Sequence, residues 1–382
     1  MNVLETWCPA RPGMNVAEVD TPALLVDLDA FERNLAHLMR AVPPGVRVRP
    51  HAKTHKSAAI ARLQIAAGAV GVCVQKVGEA EALLRGGVTD ILISNEIIGV
   101  QKCARLAALA RAYPAARLGI CVDAALQVAQ LAEAFAEAAV SIDVLVEINA
   151  GGRRCGVETP EQALALARLI GTSPGLRFAG LQAYHGAAQH LRTPAERQAA
   201  ISDAIGRTRA VRDLLALHGF ACHTIGGAGS GTFELEGASG VYNELQPGSY
   251  LFMDADYGRN ASSPEVRAEA FEHSLFILAS VMSTSAAHAV LDAGHKAHSA
   301  DSGMPLVAGR PELRYHRPSD EHGVIVGDAG AALPALGEKL LLIPGHRDPT
   351  VNLYDHLVGV RGGLQKGVVE VIWRIDARGA TY

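Results

Sequence analysis

The sequence predicts an α/β protein in which a (β/α)₈ TIM barrel is followed by a smaller, mostly β domain. Between about residue 20 and residue 260, short apolar, β-branched runs alternate with Ala- and Leu-rich stretches of helical period. This alternation is the pattern of repeated βα units. After residue 265 the apolar runs are short and are separated by Gly, Pro and Asp, which is typical of β structure.

The barrel prediction depends on a count of candidate strands. These runs are 46–50, 69–74, 90–94, 117–122, 143–149, 178–184, 222–227 and 244–251. Eight strands with intervening helices in about 230 residues match the size of a closed barrel better than an open doubly wound sheet. Polar residues also fall just after these strands, where barrel enzymes place their active sites. They are His51, Lys53, Gln75, Asn95, Arg154, Tyr184, His185 and Ser230.

Composition narrows the classes of partner. The chain has 382 residues and a formal net charge of -4, and its Lys and Arg residues are scattered, so the basic stripe of a nucleic-acid-binding protein is missing. Six cysteines lie far apart without a C-x-x-C pair, which favours a reduced compartment. The N-terminus lacks the order of a secretory signal, and no run reaches the roughly 18 apolar residues of a membrane span. We expect a cytoplasmic protein with a small-molecule substrate.

The segment RPHAKTHK at 49–56 delivers two lysines and two histidines to the predicted catalytic rim. A lysine there could form an imine with a carbonyl group, because a desolvating pocket or nearby cations lower a lysine pKa enough to supply a neutral amine. A basic strand end that is simply solvated is the alternative interpretation.

The segment IGGAGSG at 225–231 is a glycine-rich turn directly after the seventh candidate strand. Its backbone N–H groups could surround a phosphate, and the loops after strands seven and eight are the usual phosphate site of a barrel. Gly248 and Ser249 would join it from the eighth strand. The segment lacks the Lys-Ser/Thr of a P-loop, so a nucleotide site is not expected. A tight turn without a ligand is the alternative.

The segment PGHRDPTVNLYD at 344–355 places His346 and Asp348 two residues apart. In an extended segment such residues face the same side, and an imidazole with a carboxylate suits Zn²⁺, Mn²⁺ or another divalent ion. An ordinary hydrogen-bonded loop is the alternative, and the pair alone does not decide between them.

Together these motifs resemble the fold-type III pyridoxal 5'-phosphate (PLP) enzymes, the alanine-racemase-like barrels. The closer resemblance is to the group of D-threonine aldolase, 3-hydroxy-D-aspartate aldolase and D-serine dehydratase. Its signatures occur in the right order over nearly the whole chain: DTPALLVDLDAFERNL, RPHAKTHK, CVQKVGEAEAL, GRRCGV, GLQAYHGAAQH, SGVYNELQPGSYLFMDADYG and GHRDPTVNLYD. The resemblance implies a PLP-binding barrel over residues 22–262. A β-rich domain over 263–382, together with residues 1–21, would carry the metal ligands, and the protein would be a homodimer.

The resemblance also assigns roles to single residues. Lys53 rather than Lys56 would carry the cofactor, and His190 would be the general base that acts on the substrate β-hydroxyl. His346 and Asp348 would bind a divalent metal (Mn²⁺, Mg²⁺ or Zn²⁺). The other cofactor contacts would be Gln75, Arg154, Tyr184, Ser230, Gly248, Ser249 and Tyr257.

Two features refine the expected activity. Relatives usually read GGGTGS where this chain reads GGAGSG, so Ser230 replaces a threonine, although a serine hydroxyl can still donate to phosphate. The D-serine dehydratases tend toward a His-x-Cys metal pair, and the His-x-Asp of this chain favours an aldolase. We expect cleavage of D-threonine or a related 3-hydroxy-D-amino acid to glycine and an aldehyde. Dehydration is the nearest alternative, because racemisation and a non-catalytic PLP-binding barrel would leave the metal pair unused.

Overall fold

The computed structural model describes residues 8–261 and 271–382. Two of the sequence predictions fall outside the described residues. They are the absence of a secretory signal, which depends on the first residues of the chain, and the domain boundary between residues 262 and 263. Within the described part of the chain, no helix is both long and apolar enough to cross a membrane.

The structure alternates strands and helices up to residue 245 and is mostly β afterwards. The strands are β1 (Ala23–Asp27), β2 (Arg47–Val48), β3 (Val72–Val74), β4 (Asp90–Ile93), β5 (Arg117–Val122), β6 (Ile142–Glu147), β7 (Leu176–Ala183), β8 (Thr224–Gly227), β9 (Glu244–Leu245), β10 (Leu275–Thr284), β11 (Ala289–Leu291), β12 (Leu306–Val307), β13 (Leu313–Pro318), β14 (Gly323–Gly327), β15 (Lys339–Ile343), β16 (His356–Arg361) and β17 (Val368–Arg374). The α-helices are α1 (Leu28–Ala41), α2 (Ala58–Ala66), α3 (Val77–Arg85), α4 (Val100–Ala112), α5 (Ala125–Glu137), α6 (Pro160–Thr172), α7 (Pro194–Leu217), α8 (Phe233–Gly237) and α9 (Arg347–Val351).

Strands β2 to β9 form the predicted parallel barrel. Their order is β2-β9-β8-β7-β6-β5-β4-β3, and every one of these neighbouring pairs is parallel. The ring closes between its two end strands, because the Val70 N–H donates to Val48 O and the Cys73 N–H donates to Pro50 O, each at 2.9 Å. The eight strands correspond to the eight candidate runs in the sequence.

The barrel is filled on the inside and covered on the outside by apolar side chains. Cys73, Leu92, Cys121, Leu145 and Ala179 form a buried cluster of their own among the barrel strands. Cysteine packs there as a small hydrophobe. The main core lies between the strands and the surrounding helices, where residues such as Leu83, Leu106 and Phe135 are fully buried. The six cysteines are all unpaired.

The second domain is a nine-stranded sheet in the order β11-β14-β13-β12-β15-β10-β1-β16-β17. Strand β1 lies inside it, antiparallel to β10 and parallel to β16. The predicted barrel range of 22–262 is therefore corrected at its start, because it includes Ala23–Asp27. That strand is buried on both faces, and its apolar run resembles a barrel strand in sequence.

The two domains meet at the carboxyl ends of the barrel strands. The short helix α9 packs against the 3₁₀ turn Ala52–Thr54, which follows β2. The end of the chain also holds the domains together, since the Ala377 N–H donates to Lys56 O at 3.0 Å and the Gly78 N–H donates to Tyr382 O at 2.9 Å. The β domain thereby places α9 at the rim where barrel enzymes carry their active sites.

Candidate active site

One cavity lies at this rim, between the barrel strand ends and α9. Its lining contains every site residue that the family resemblance assigns: Lys53, Gln75, Arg154, Tyr184, His190, Ser230, Gly248, Ser249, Tyr257, His346 and Asp348. His51, Ser94, Gln182, Gln246 and Arg347 also line it. His51 is among the residues that the sequence predicts at the rim, because it follows a strand directly. The other four have no such signal, and sequence reasoning missed them. Asn95 and His185, which the sequence also predicts at the rim, do not line this cavity, and His185 lines a neighbouring one.

Lys53 is the lysine that reaches the cavity. It lies on the 3₁₀ turn Ala52–Thr54, and its Nζ is 3.5 Å from Asp348 Oδ2. Lys56, three residues later, pairs with Glu79 instead and is not part of the cavity lining. Of the two lysines in the RPHAKTHK segment, only Lys53 is therefore in a position to bind a ligand in this cavity.

His51 is a neutral, buried imidazole beside Lys53. Its Nδ1 accepts a hydrogen bond from the Lys53 N–H at 3.3 Å, so the ring proton belongs on Nε2. The Nε2–H donates to Ser94 Oγ at 3.2 Å. The Gln75 amide nitrogen lies 2.7 Å from the same atom, and because that nitrogen is also a donor, the Gln75 amide pairs with this tautomer only when its oxygen takes that position. Burial, reinforced by the charge of Lys53, lowers the pKa of His51 well below its ordinary value.

Arg154 brings a positive charge to the cavity lining. Its guanidinium lies 5.6 Å above the Tyr184 ring, and its Nη2 is 4.0 Å from Glu147 Oε1. Burial and the neighbouring Glu96 raise the pKa of Glu147, which weakens its ion pair with Arg154. The charge of Arg154 therefore remains available to an anionic group. Burial also raises the pKa of Tyr184 to about 12, so its hydroxyl is a hydrogen-bond donor.

The ends of β8 and β9 form a group of unused hydrogen-bond donors. The N–H groups of Gly229, Ser230, Gly248 and Ser249 have no acceptor among the described residues, although all four residues are buried. Ser230 Oγ accepts from the Tyr250 N–H at 2.7 Å. Buried backbone donors are rarely left unpaired, and convergent N–H groups bind phosphate. These donors fit the phosphate of the expected cofactor.

His346 is arranged as a metal-binding histidine. Its Nδ1 lies 2.7 Å from Asp301 Oδ2, so a proton on Nδ1 leaves the lone pair on Nε2. Metal-ligating histidines usually have such a carboxylate on the other ring nitrogen, and it fixes the tautomer and the ring orientation. Asp301 lies 45 residues before His346 in the chain, and the sequence gives no indication of this pairing.

Asp348 is an ionised carboxylate with one oxygen already held. Thr54 Oγ1 donates to its Oδ1 at 2.9 Å, and Arg347 Nη2 lies 3.2 Å from the same oxygen. Burial raises the pKa of Asp348, but the charges of Arg347, Lys53 and His346 outweigh it and hold the pKa below its ordinary value. Imidazole nitrogen and carboxylate oxygen together suit Zn²⁺ or Mn²⁺.

The backbone at this pair differs from the extended segment that the sequence suggests. His346 is extended, with φ -143° and ψ 115°, but Asp348 is already in the first turn of α9. Both side chains reach the cavity because the chain turns there. The same turn brings Arg347 to the cavity, whereas strict alternation would point it away, and this is why the sequence analysis did not identify it.

Another cluster of possible metal ligands lies elsewhere on the rim. Among the described residues, ligand atoms of Glu96, Asp123 and Cys155 lie within 4.8 Å of one another. Asp123 already uses both oxygens, since it accepts from the Gly156 N–H and from the Gln127 side-chain amide, each at 2.9 Å. The His346–Asp348 pair is the better candidate for a metal site.

His190 has the arrangement of a general base. Its Nδ1 lies 2.6 Å from Asp256 Oδ2, which orients the ring and leaves Nε2 for proton transfer. Burial raises the pKa of Asp256, but hydrogen bonds with Arg192 and His190 outweigh it and hold the pKa below its ordinary value. Asp256 is therefore a permanent anion behind the imidazole.

Comparison with known proteins gives matches over nearly the full length. The family model described as alanine racemase, N-terminal domain, matches residues 26–256, and a serine dehydratase domain model matches residues 274–360. A D-threonine aldolase from Arthrobacter sp. is 48% identical over 97% of this chain and 96% of that protein. A 3-hydroxy-D-aspartate aldolase from Paracoccus denitrificans (strain Pd 1222) is 44% identical over 98% of this chain and 96% of that protein.

Solved structures agree. The crystal structure of D-threonine aldolase from Filomicrobium marinum is similar with a TM-score of 0.93 and 52% identity, and the match covers 99% of this chain and 100% of that one. The structure of a D-threo-3-hydroxyaspartate dehydratase from Delftia sp. HT23 is more distant, with a TM-score of 0.83 and 27% identity over 94% of this chain and 98% of that one. The chain therefore belongs to the alanine-racemase-like family of fold-type III PLP enzymes, in the branch that contains the D-threonine and 3-hydroxy-D-aspartate aldolases.

Proposed function

We propose that this protein is a PLP- and divalent-metal-dependent aldolase that cleaves D-threonine, or a related 3-hydroxy-D-amino acid, into glycine and an aldehyde. The observation that carries the proposal is the convergence of four elements on one cavity: Lys53, the donors at the ends of β8 and β9, the His346–Asp348 pair, and His190. The similarity to D-threonine aldolases over nearly the whole chain supports the same reaction.

The residues for PLP are those that the resemblance assigns. Lys53 would hold the cofactor covalently, while Ser230 and Ser249, with the unused N–H groups around them, would hold its phosphate. Arg154 and Tyr184 would also contact it, and Gln75, Gly248 and Tyr257 would complete the site. When bound, PLP supplies an electron-accepting ring that stabilises negative charge at the substrate Cα.

His190 would remove the proton from the substrate β-hydroxyl. Loss of that proton allows the oxygen to form the aldehyde C=O as the Cα–Cβ bond breaks. The carboxylate of Asp256, 2.6 Å from Nδ1, stabilises the imidazolium that results. Glycine is released after its Cα gains a proton, which the same imidazolium or water can provide.

His346 and Asp348 would hold the divalent ion through Nε2 and Oδ2. Asp301 and Thr54 hold the other ring nitrogen of His346 and the other oxygen of Asp348. Oδ2 of Asp348 faces Lys53 Nζ at 3.5 Å, and that contact would be released when Lys53 binds the cofactor. Mn²⁺, Mg²⁺ and Zn²⁺ all fit this donor pair, with the harder ions favoured by the carboxylate. The family resemblance supports a homodimer. The six unpaired cysteines support a reduced, cytoplasmic compartment.

Dehydration of a 3-hydroxy-D-amino acid is the second candidate function. It is favoured by the match of residues 274–360 to a serine dehydratase domain. It is opposed by the His-x-Asp pair and by the lower identity of the dehydratase relative, 27%.

A product assay distinguishes the two reactions. Purified protein is loaded with PLP and Mn²⁺ and incubated with D-threonine, before and after treatment with a chelator. Acetaldehyde with glycine, lost on chelation and restored by Mn²⁺, establishes the aldolase, and 2-oxobutanoate with ammonia establishes the dehydratase. The His346→Ala variant should behave like the chelated enzyme. If neither product forms, 3-hydroxy-D-aspartate is the next substrate, and inactivity on both overturns the proposal.

A further inference from the structure

Arg347 connects the two halves of the cavity through a fully buried guanidinium. Its side chain is 3% exposed. Its Nε donates to Thr54 Oγ1 at 3.0 Å, its Nη1 donates to Asp254 Oδ2 at 2.5 Å, and its Nη2 donates to Ser249 Oγ. The Arg347 N–H also donates to Asp254 Oδ2 at 3.2 Å. Each of the three guanidinium nitrogens therefore donates to an acceptor.

These partners come from different parts of the fold. Ser249 belongs to the donor group at the end of β9, Thr54 ends the turn that carries Lys53, and Arg347 itself begins α9 of the β domain. Asp254 lies in the segment that leaves the barrel. A planar guanidinium with a fixed fork of donors can hold three such acceptors at once, which a lysine ammonium on a flexible stem cannot match.

Two of the contacts determine the hydrogen-bonding state of site atoms. Arg347 and Thr54 both hold Asp348 Oδ1. Oδ2 faces only Lys53 Nζ, at 3.5 Å, so it is the oxygen available to a metal once Lys53 binds the cofactor. Ser249 Oγ accepts from Arg347, so its own proton is directed away from the guanidinium. The same guanidinium lies 5.1 Å from the centre of the Tyr257 ring, the aromatic residue expected beside the cofactor.

We infer that Arg347 is a positioning residue that couples the phosphate-binding donors to the metal pair. It sets Ser249 and Asp348 in their binding orientations with one rigid group, so its loss weakens PLP binding and divalent-ion binding together. The inference rests on the proposed function for the identity of the two ligands, and it goes beyond that function in assigning their coupling to one side chain.

The test compares Arg347→Lys and Arg347→Met with the wild type in two binding experiments. The PLP dissociation constant is measured by titrating the apoprotein and following the cofactor absorbance, and the Mn²⁺ dissociation constant by electron paramagnetic resonance on PLP-saturated protein. We expect both constants to rise by about tenfold or more in both variants, because a buried hydrogen bond to a charged group is lost at each site.

Arg49→Met is the matched control. Arg49 is also a buried arginine in ion pairs, with Glu244 at 2.8 Å and Asp90 at 2.5 Å, but these residues begin β9 and β4 at the opposite end of the barrel. Its loss should lower the melting temperature and leave both dissociation constants unchanged. Loss of stability alone therefore does not reproduce the expected result.

The outcomes are separable. If only one constant rises, or neither does, the coupling is refuted. If the Arg347 variants do not fold, Asp254→Asn, which keeps the guanidinium but weakens its anchor, should raise both constants in the same direction, and unchanged constants there overturn the inference. A wild-type protein that binds PLP and Mn²⁺ but cleaves no hydroxy amino acid would refute the proposed function and leave this inference standing.

Discussion

Lys56 Nζ donates to Glu79 Oε1 at 2.6 Å in an ion pair whose side chains are 10% and 4% exposed. Glu79 Oε2 also accepts the N–H groups of Gln75 and Lys76. Lys56 is thus committed to holding the start of α3, while Lys53 reaches the cavity. The two lysines of one short motif therefore have distinct roles.

Covalent labelling tests that distinction. Protein incubated with PLP and reduced with borohydride should carry the cofactor on the peptide containing Lys53, and Lys53→Ala should abolish the label. Lys56→Met should keep the label but lose stability, by about 3 kcal/mol, because Glu79 is left as an unpaired buried charge. Mass spectrometry and thermal unfolding measure the two effects. A label on Lys56 in the wild-type protein would refute the assignment.

The His190–Asp256 pair predicts a loss of turnover without a loss of cofactor. Asp256→Asn removes the anion that orients His190, and we expect kcat to fall by about 100-fold or more, within the range that general acid–base groups contribute. PLP absorbance should be unchanged. In a His190→Ala background the same substitution should cost almost nothing further, since the two residues act as a unit. Additive losses measured in the double variant would contradict the pairing.

The sequence predicts the barrel well because its signal is local. Each strand is a short apolar run followed by a helical period, and all eight appear among the candidates. Strand β1 is misplaced because its run is equally apolar, and only its pairing with β10 and β16 assigns it to the other sheet. Pairing between distant strands is a tertiary property that no local pattern carries.

The residues of the candidate site also differ in how well the sequence predicts them. Residues that follow strand ends, such as Lys53 and Ser230, are predictable because the topology brings those ends together. The residues that hold the site's side chains in place are not predictable, because each contacts a partner far away in the sequence. Asp301 meets His346 over 45 residues and Asp254 meets Arg347 over 93 residues. Their identification requires distances, which motifs do not contain.

Asp301 provides a test of the metal site that does not remove a ligand. Asp301→Asn weakens the hold on His346 Nδ1, and we expect the Mn²⁺ dissociation constant to rise by about 10- to 100-fold, as for other carboxylates behind metal-bound histidines. Asp328→Asn is the control, because Asp328 is an exposed aspartate of the same domain, 3.5 Å from Arg314 and 61% exposed. Equal affinities for Mn²⁺ in the two variants would show that Asp301 does not support the site.

Glu236 gives a prediction for pH dependence. This carboxyl is buried in α8, where its Oε1 accepts from Thr232 Oγ1 at 2.9 Å and its Oε2 has no partner among the described residues. Burial raises the pKa of Glu236 from 4.5 to about 8. The folded protein therefore retains a proton that the unfolded chain releases, so this contribution to stability is complete below about pH 4.5 and is lost as pH rises through about 8.

Glu236→Gln, which is neutral at every pH, should remove that loss. The melting temperature of the variant minus that of the wild type should increase between about pH 6 and about pH 9, because only the wild type must ionise a buried carboxyl over that interval. Glu234→Gln is the matched control, since Glu234 lies on the same helix but is exposed, and its difference from the wild type should stay constant with pH. Melting curves for Glu236→Gln that shift in parallel with those of the wild type would mean that Glu236 is ionised in the folded protein and that its unpaired oxygen is solvated.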